Sequence, residues 1–301
     1  MYYIIYGFLY LFSLLPFWII YHISDGVYAL IYYVFGYRKK VVMANLLIAF
    51  PEKTEKERKK IAKQFYHNLA DTFLEIIKTL SISDKTFAKR CTGNFGIVNE
   101  LAAKGKSIQL HSGHQFNWEY GSLIMSKMIT AVPYYAVYIP IKNKAMSRLF
   151  LKIRQKYTAK FIDAHEFRTK KDELFKEQFS IALAADQNPG NPNSAYWQNY
   201  FDRPAPFITG PEVGAIKNNT AVVFVRSRIT KRGHYDLECS VFTENAASTN
   251  AGDITRGFRD FLEKIIKEEP HNYLWTHRRW KWEYSKEYKN KWIDKKVSAP
   301  E

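Results

Sequence analysis

The apolar positions of this chain change texture twice. From Met1 to Ile23 the run MYYIIYGFLYLFSLLPFWIIYHI is nearly continuous and carries no formal charge, and Asp25 is the only formal charge before Arg38. About 20 apolar residues suffice to cross a bilayer core as a helix. The other reading of the run is a buried hairpin of two core helices broken at Ser24-Asp25-Gly26. Tyrosines crowd the segment together with Trp18, as such rings do at membrane interfaces, and this favours a membrane anchor over residues 1–37. A secretory signal would need a basic start and a small-residue cleavage site, and neither is visible. After Phe50-Pro51 the texture becomes helical. Thr54 and Glu57 have capping-box spacing, and Ile61, Phe65, Leu69, Phe73, Ile76, Ile77 and Leu80 follow at the period of a long amphipathic helix.

From residue 107 short apolar runs alternate with amphipathic ones. Strands are expected at 107–110, 134–139, 180–185, 221–228 and 235–242, and helices at 121–128, 142–156, 209–218 and 254–267. Strands alternating with helices predict an α/β fold, a mainly parallel sheet flanked by helices. No linker interrupts residues 38–301, which are expected to form one domain. The stretch Asn188–Ser194, NPGNPNS, is the densest turn material.

Charge narrows the choice of partner. Against 29 acidic residues stand 45 basic ones, a formal net charge of +16. Such a surface favours polyanions: anionic lipid, a phosphorylated substrate, an acidic carrier protein or nucleic acid. Arg38-Lys39-Lys40 follows the apolar segment, which places the bulk of the chain on the cytoplasmic side of a membrane. The basic turn EKERKKIAKQ is either a solvated face or a contact for lipid phosphates. Cys91 and Cys239 show neither disulfide nor metal-ligand spacing, which suits a reducing compartment.

The candidate chemistry lies in LHSGHQFNWEY, residues 110–120, at the carboxyl end of a strand, where α/β folds collect ligands. A metal site would need His111, His114 and a third ligand from Glu119 or Asp186, at a spacing foreign to familiar zinc sites. No G-x-S-x-G elbow is present, and neither cysteine sits in a nucleophile motif. A histidine–carboxylate dyad explains more: His114 takes a proton from an attacking hydroxyl, while Glu119, met across the turn, fixes the ring tautomer. Amides at the following helix N-terminus are available for negative charge.

The run His114-Gln115-Phe116-Asn117-Trp118-Glu119 resembles the H-x-x-N-W-E signature of the bacterial lipid A biosynthesis acyltransferases, the late enzymes that add secondary chains, within the lysophospholipid acyltransferase superfamily. Asn45-Leu46 through Phe50-Pro51-Glu52 resembles the family's N-L-x-x-x-F-P-E segment, Asp186-Gln187 its D-Q element, and residues 270–281, PHNYLWTHRRWK, its P-x-x-Y-x-W-x-H-R-R-x-K block. The resemblance implies transfer of a fatty acyl group from acyl carrier protein to a hydroxyl of a lipid A precursor, an anionic glycolipid, at the cytoplasmic face of the bacterial inner membrane. It also implies His114 as general base and Glu119 as its partner, with no metal or other cofactor. Arg154 matches a basic position associated with the site. After Asp186-Gln187 the chain departs from the family's F-V-P-F-F-G.

For the remaining residues two roles stand side by side. Asn117, Asp186 and Gln187 are candidates for substrate binding, and Arg278 and Arg279 for holding a phosphate bidentately. Asn117 could equally close the turn, and Trp118 pack in the core. His111 reads more naturally as a structural histidine. Aromatic residues interleaved with arginine also occur in nucleic-acid binders, although the family resemblance leads us to expect no nucleic acid. The competing functions are an acyltransferase for another phospholipid or glycolipid, and a basic binding module without catalysis.

Overall fold

Thr54 starts the longest helix as the spacing requires. Its Oγ1 accepts from the Glu57 amide at 3.3 Å, and the Glu57 carboxylate accepts from the Thr54 amide at 2.7 Å. The computed structural model describes residues 2–300, leaving aside the side chains of Arg168, Lys170, Lys171, Asp172 and Leu174. Four helices form its N-terminal part: α1 (Tyr2–Ser13), α2 (Phe17–Ala29), which runs on into a π-helical turn at Leu30–Val34, α3 (Lys39–Ala49) and α4 (Glu55–Lys78). Ile61, Phe65, Leu69 and Ile76 bury the expected face of α4, whereas Phe73 is half exposed.

The N-terminal membrane helix expected over 1–37 is not found as one element. Among the described residues no single helix is long and apolar enough to cross a membrane. Tyr2–Ser13 and Phe17–Val34 meet the length and composition only together, and they are bent by 113°. Pro16 lies at that bend, where its missing N–H and fixed φ suit the start of a new helix.

The central sheet has seven strands in the order β1 (Cys91–Gly93), β9 (His234–Thr243), β8 (Ala221–Lys231), β2 (Ile108–Ser112), β5 (Ser180–Ala184), β3 (Tyr134–Tyr138) and β4 (Lys160–Asp163). The pairs β8–β2–β5–β3–β4 are all parallel, while β8 and β9 form an antiparallel hairpin. The mainly parallel α/β expectation therefore holds. Helices α5 (Asp84–Arg90), α6 (Gly96–Ala103), α7 (Trp118–Met128), α8 (Lys144–Arg154), α9 (Ala164–Leu174), α10 (Gly210–Asn218) and α11 (Asp253–Glu268) complete it, with a separate antiparallel hairpin β6 (Ala195–Tyr200)–β7 (Arg203–Ile208). The edge strands β1 and β4, that hairpin, and α3, α5, α6 and α9 were not legible. β1, β4, α5 and α6 are short, and the hairpin is interrupted by prolines such as Pro204 and Pro206, so these carry little periodic signal.

Alternation along the strands sends two apolar sets to opposite faces. Ile108, Leu110, Val223 and Val225 pack with Leu123 and Ile124 of α7. Val222 and Phe224 pack on the other side with Phe258 and Leu262 of α11. The carboxyl ends of β2 and β5 emerge between these layers.

Candidate active site

β2 and β5 are parallel neighbours, and Ser112 stands opposite Ala184 at their ends. The next residues of both strands thus leave the sheet side by side. Gly113 lets them approach: a Cβ there would lie 2.8 Å from Leu262 and 3.7 Å from the Asp186 carboxylate. His114 and Asp186, 72 residues apart, consequently meet. His114 Nδ1 lies 2.7 Å from Asp186 Oδ1, and the His114 backbone N–H donates to Oδ2 at 3.0 Å. One buried carboxylate thus grips both the ring and the main chain of the same residue. The Gln187 amide nitrogen lies 3.3 Å from each ring nitrogen.

Burial alone would lower the His114 pKa, but the Asp186 charge and hydrogen bond, helped by Glu119, outweigh it and raise the pKa above its ordinary value. Burial would likewise raise Asp186, yet His114 and two backbone hydrogen bonds hold it at about 2. At neutral pH Asp186 is therefore an anion facing an imidazole whose proton sits on Nδ1. That leaves Nε2 as the basic nitrogen.

The expected partnership of His114 with Glu119 is not the one formed. Glu119, in the first turn of α7, points to the end of α8, where Arg154 Nε and Nη2 grip its two oxygens at 2.8 and 2.5 Å. The α7 N-terminus is also unavailable to an anion at two of its amides. Asn117 caps it, its Oδ1 accepting from the amides of Glu119 and Tyr120, both at 3.1 Å. Asn117 is fully buried and so holds the turn rather than a substrate. Its Nδ2 donates to Glu75 of α4 at 3.1 Å, and Glu75 also accepts from Tyr235 at 2.6 Å and Tyr21 at 2.9 Å. Sequence reasoning missed Glu75, because nothing in a helical pattern marks a carboxylate buried at the far end of another element. Burial pushes its pKa up to about 7 despite those three donors.

His114, Trp118, Glu119, Arg154 and Gln187 all line one cavity of ≈ 770 Å³. Its walls are mostly apolar, with Met125, Tyr134 and Phe161 on the α7 side of the sheet and Phe167, Phe175 and Leu183 on the α9 side. Small residues Ala136, Ala182 and Ala184 leave the space between. A long hydrocarbon fits such a cavity, with His114 at its wall. Among the described residues no group of three or more His, Cys, Asp or Glu side chains could hold a metal ion.

Residues 1–282 match the family model of the bacterial lipid A biosynthesis acyltransferases. The chain belongs to this family. It is an acyltransferase. A lipid A biosynthesis lauroyltransferase of Escherichia coli K12 is 26% identical over 283 residues, covering 91% of this chain and 89% of the relative.

In this lipid A acyltransferase family member, the dispersed motif segments turn out to brace one another. Asn45 donates to the carbonyls of Trp275 and His277 at 2.8 and 2.7 Å. Asn272 accepts from the Phe116 amide at 2.9 Å, and the Leu274 amide donates to the His114 carbonyl at 3.0 Å. The block at 270–281 therefore serves as the scaffold of the turn that carries His114. Its two arginines diverge instead of clasping one phosphate. Arg278 is exposed, whereas Arg279 is 1% exposed, stacked on Tyr200 and Phe207 and donating to Asn188. Asp186, expected as a candidate substrate contact, is likewise committed to His114. His111 is buried, and burial drives its pKa down to about 3, which fits its structural reading.

Proposed function

We propose that the protein transfers a fatty acyl chain from acyl carrier protein to a hydroxyl of a lipid A precursor, at the cytoplasmic face of the bacterial inner membrane. The observation that carries the proposal is a single imidazole, His114, held by buried Asp186 at the wall of a ≈ 770 Å³ apolar cavity. The acyl chain enters that cavity with its thioester carbonyl beside His114. His114 Nε2 removes the proton of the acceptor hydroxyl, whose oxygen attacks the carbonyl carbon. Collapse of the tetrahedral adduct forms the ester and breaks the C–S bond, and the imidazolium returns its proton to the departing thiolate. No covalent enzyme intermediate is required.

Asp186 holds the Nδ1–H tautomer and balances the imidazolium charge. Glu119 acts at one remove: it fixes Arg154, and Arg154 and the Gln187 amide supply positive potential at the developing oxyanion. The resemblance and the relative's name support lipid A as acceptor, and the +16 charge suits both a phosphorylated glycolipid and an acidic carrier.

Purified protein, acyl carrier protein charged with defined acyl chains, and a lipid A precursor test the reaction directly by mass spectrometry. A mass gain of one acyl chain is expected, and His114→Ala is expected to abolish it while the chain remains folded by circular dichroism. Full transfer by His114→Ala would refute the mechanism. Acylation of glycerophospholipids but not of the lipid A precursor would refute the acceptor.

A further inference from the structure

We propose that the N-terminal helices lie in the plane of the lipid interface as a bent platform and do not span the bilayer. The inference rests on the membrane association proposed above and replaces a span with a surface contact on one leaflet.

The inner side of the platform is tied to the domain by polar contacts that a span would break. Lys78 Nζ donates to the carbonyls of Ser13 and Leu15 at 2.7 and 2.8 Å, clamping the bend between α1 and α2. Ser24 donates to Asp71 at 2.6 Å, and Tyr21 reaches Glu75. Asp25, the charge within the apolar region, pairs with His67 at 2.8 Å and with Arg232 at 2.6 Å. In a hydrocarbon slab Asp25 and the freed Lys78 would lose these partners at high cost. The 12 residues of α1 extend roughly 18 Å, well short of a bilayer core of about 30 Å.

The outer side is the reverse. Ile4, Phe8 and Leu11, spaced along one stripe of α1, are 77%, 69% and 67% exposed. Trp18 on α2 and Val34 and Phe35 at the π-helical turn are 65%, 68% and 73% exposed. A water-soluble surface does not ordinarily present this many large apolar side chains on consecutive helices. Cations rim it: Arg148 sits 4.4 Å over the Tyr2 ring, Lys152 4.2 Å over Tyr6, and Lys39 4.0 Å over Tyr32. Aromatic rings paired with basic groups around an aliphatic stripe suit the head-group boundary of an anionic membrane. A second copy of the same basic chain would oppose like charges, so lipid is the occupant.

The platform also borders the route to the active site. Ile139, 72% exposed, lines the cavity and precedes α8, whose Arg148 and Lys152 hold α1. A lipid chain leaving the leaflet beside α1 is thereby delivered near the cavity mouth.

The full-length chain, with single cysteines introduced at Tyr3, Leu11 and Val34 and labelled with an environment-sensitive dye, tests the idea on vesicles of phosphatidylglycerol and phosphatidylethanolamine. The native Cys91 and Cys239 are buried and are replaced by alanine in the parent. Brominated lipids should report the same shallow depth at all three positions, and an impermeant thiol reagent trapped in the vesicle lumen should modify none of the same single-cysteine variants left without dye. A dye at the bilayer centre, or a position reached only from the lumen, overturns the in-plane arrangement while leaving membrane binding and acyl transfer intact. The triple variant Ile4→Asp/Phe8→Asp/Leu11→Asp should bind vesicles at least about a hundredfold more weakly, since each large apolar side chain withdrawn from lipid is worth on the order of tenfold. Its transfer rate on detergent-dispersed substrate should be unchanged. Native-like vesicle binding by this variant, or a stable dimer of the native chain that lipid does not compete with, also overturns the proposal.

Discussion

Asp186→Asn removes one charge and no volume at the point where the mechanism is most exposed. In the native site both carboxylate oxygens accept, one from Nδ1–H and the other from the His114 backbone N–H. An asparagine has only one acceptor oxygen to share between them. If its oxygen faces the ring, its NH₂ meets a backbone donor. If the amide flips, its NH₂ faces Nδ1 and forces the proton to Nε2, which can then accept nothing from a substrate hydroxyl. A hydrogen bond to a charged group contributes about 1.5–3 kcal/mol, or roughly 10–150-fold in rate. Partial occupancy of the wrong tautomer adds about another order of magnitude. We therefore expect kcat/KM to fall by roughly 10²–10³-fold, with little change in cavity volume. The pH profile distinguishes this from simple misfolding. The base must be neutral, so activity rises through the His114 pKa, which in the native protein lies above its ordinary 6.5. Without the carboxylate that limb should move to lower pH even as the plateau falls. Linkage adds a stability signature. The raised His114 pKa contributes stability fully present below pH 6.5 and lost as pH rises through the folded-state value. The depressed Asp186 pKa contributes stability present above 3.8 and lost as pH falls towards about 2. The assay is initial-rate acyl transfer across pH 5–9 in detergent. A loss below about threefold, with the acid limb unmoved in Asp186→Asn but displaced in Glu119→Gln, would return the partnership to Glu119.

Arg154→Met should destabilise the fold by up to about 3 kcal/mol, because Glu119 is left buried without its partner. The double variant Glu119→Gln/Arg154→Met should regain much of that stability in chemical denaturation without regaining activity, and strictly additive losses would mean the pair is not coupled. Glu75→Gln places an NH₂ where an oxygen of the protonated acid accepts, costing about 1–3 kcal/mol at pH 5. Since the Glu75 pKa is raised to about 7, its contribution is full below its ordinary 4.5 and fades as pH rises through 7, so the native chain's advantage over Glu75→Gln should be smaller at pH 8 than at pH 5. A denaturation series at the two pH values measures the difference, and a larger advantage at pH 8 would contradict the raised pKa.

Local signals in the sequence were enough for the α/β class, the capping box at Thr54, the strands that become β2, β3, β5, β8 and β9, and the placement of His114 just beyond a strand end. Each of these depends on residues within a turn or a strand length of one another. The partner of His114 was not of that kind. The spacing H-x4-E suggests a neighbour five residues on, but α7 begins at Trp118 and carries Glu119 round to α8, where Arg154 already waits. Asp186 is 72 residues away and meets His114 only because β5, and not β3, pairs with β2. Strand order is chosen by which apolar faces pack across the whole sheet, and no single segment encodes it. The N-terminal run follows the same division. Its hydrophobicity is plain from the residues alone, but whether it crosses a membrane or bends along one depends on Lys78, Asp71 and Arg232, whose polar grip on the bend exists only once distant parts of the chain have come together.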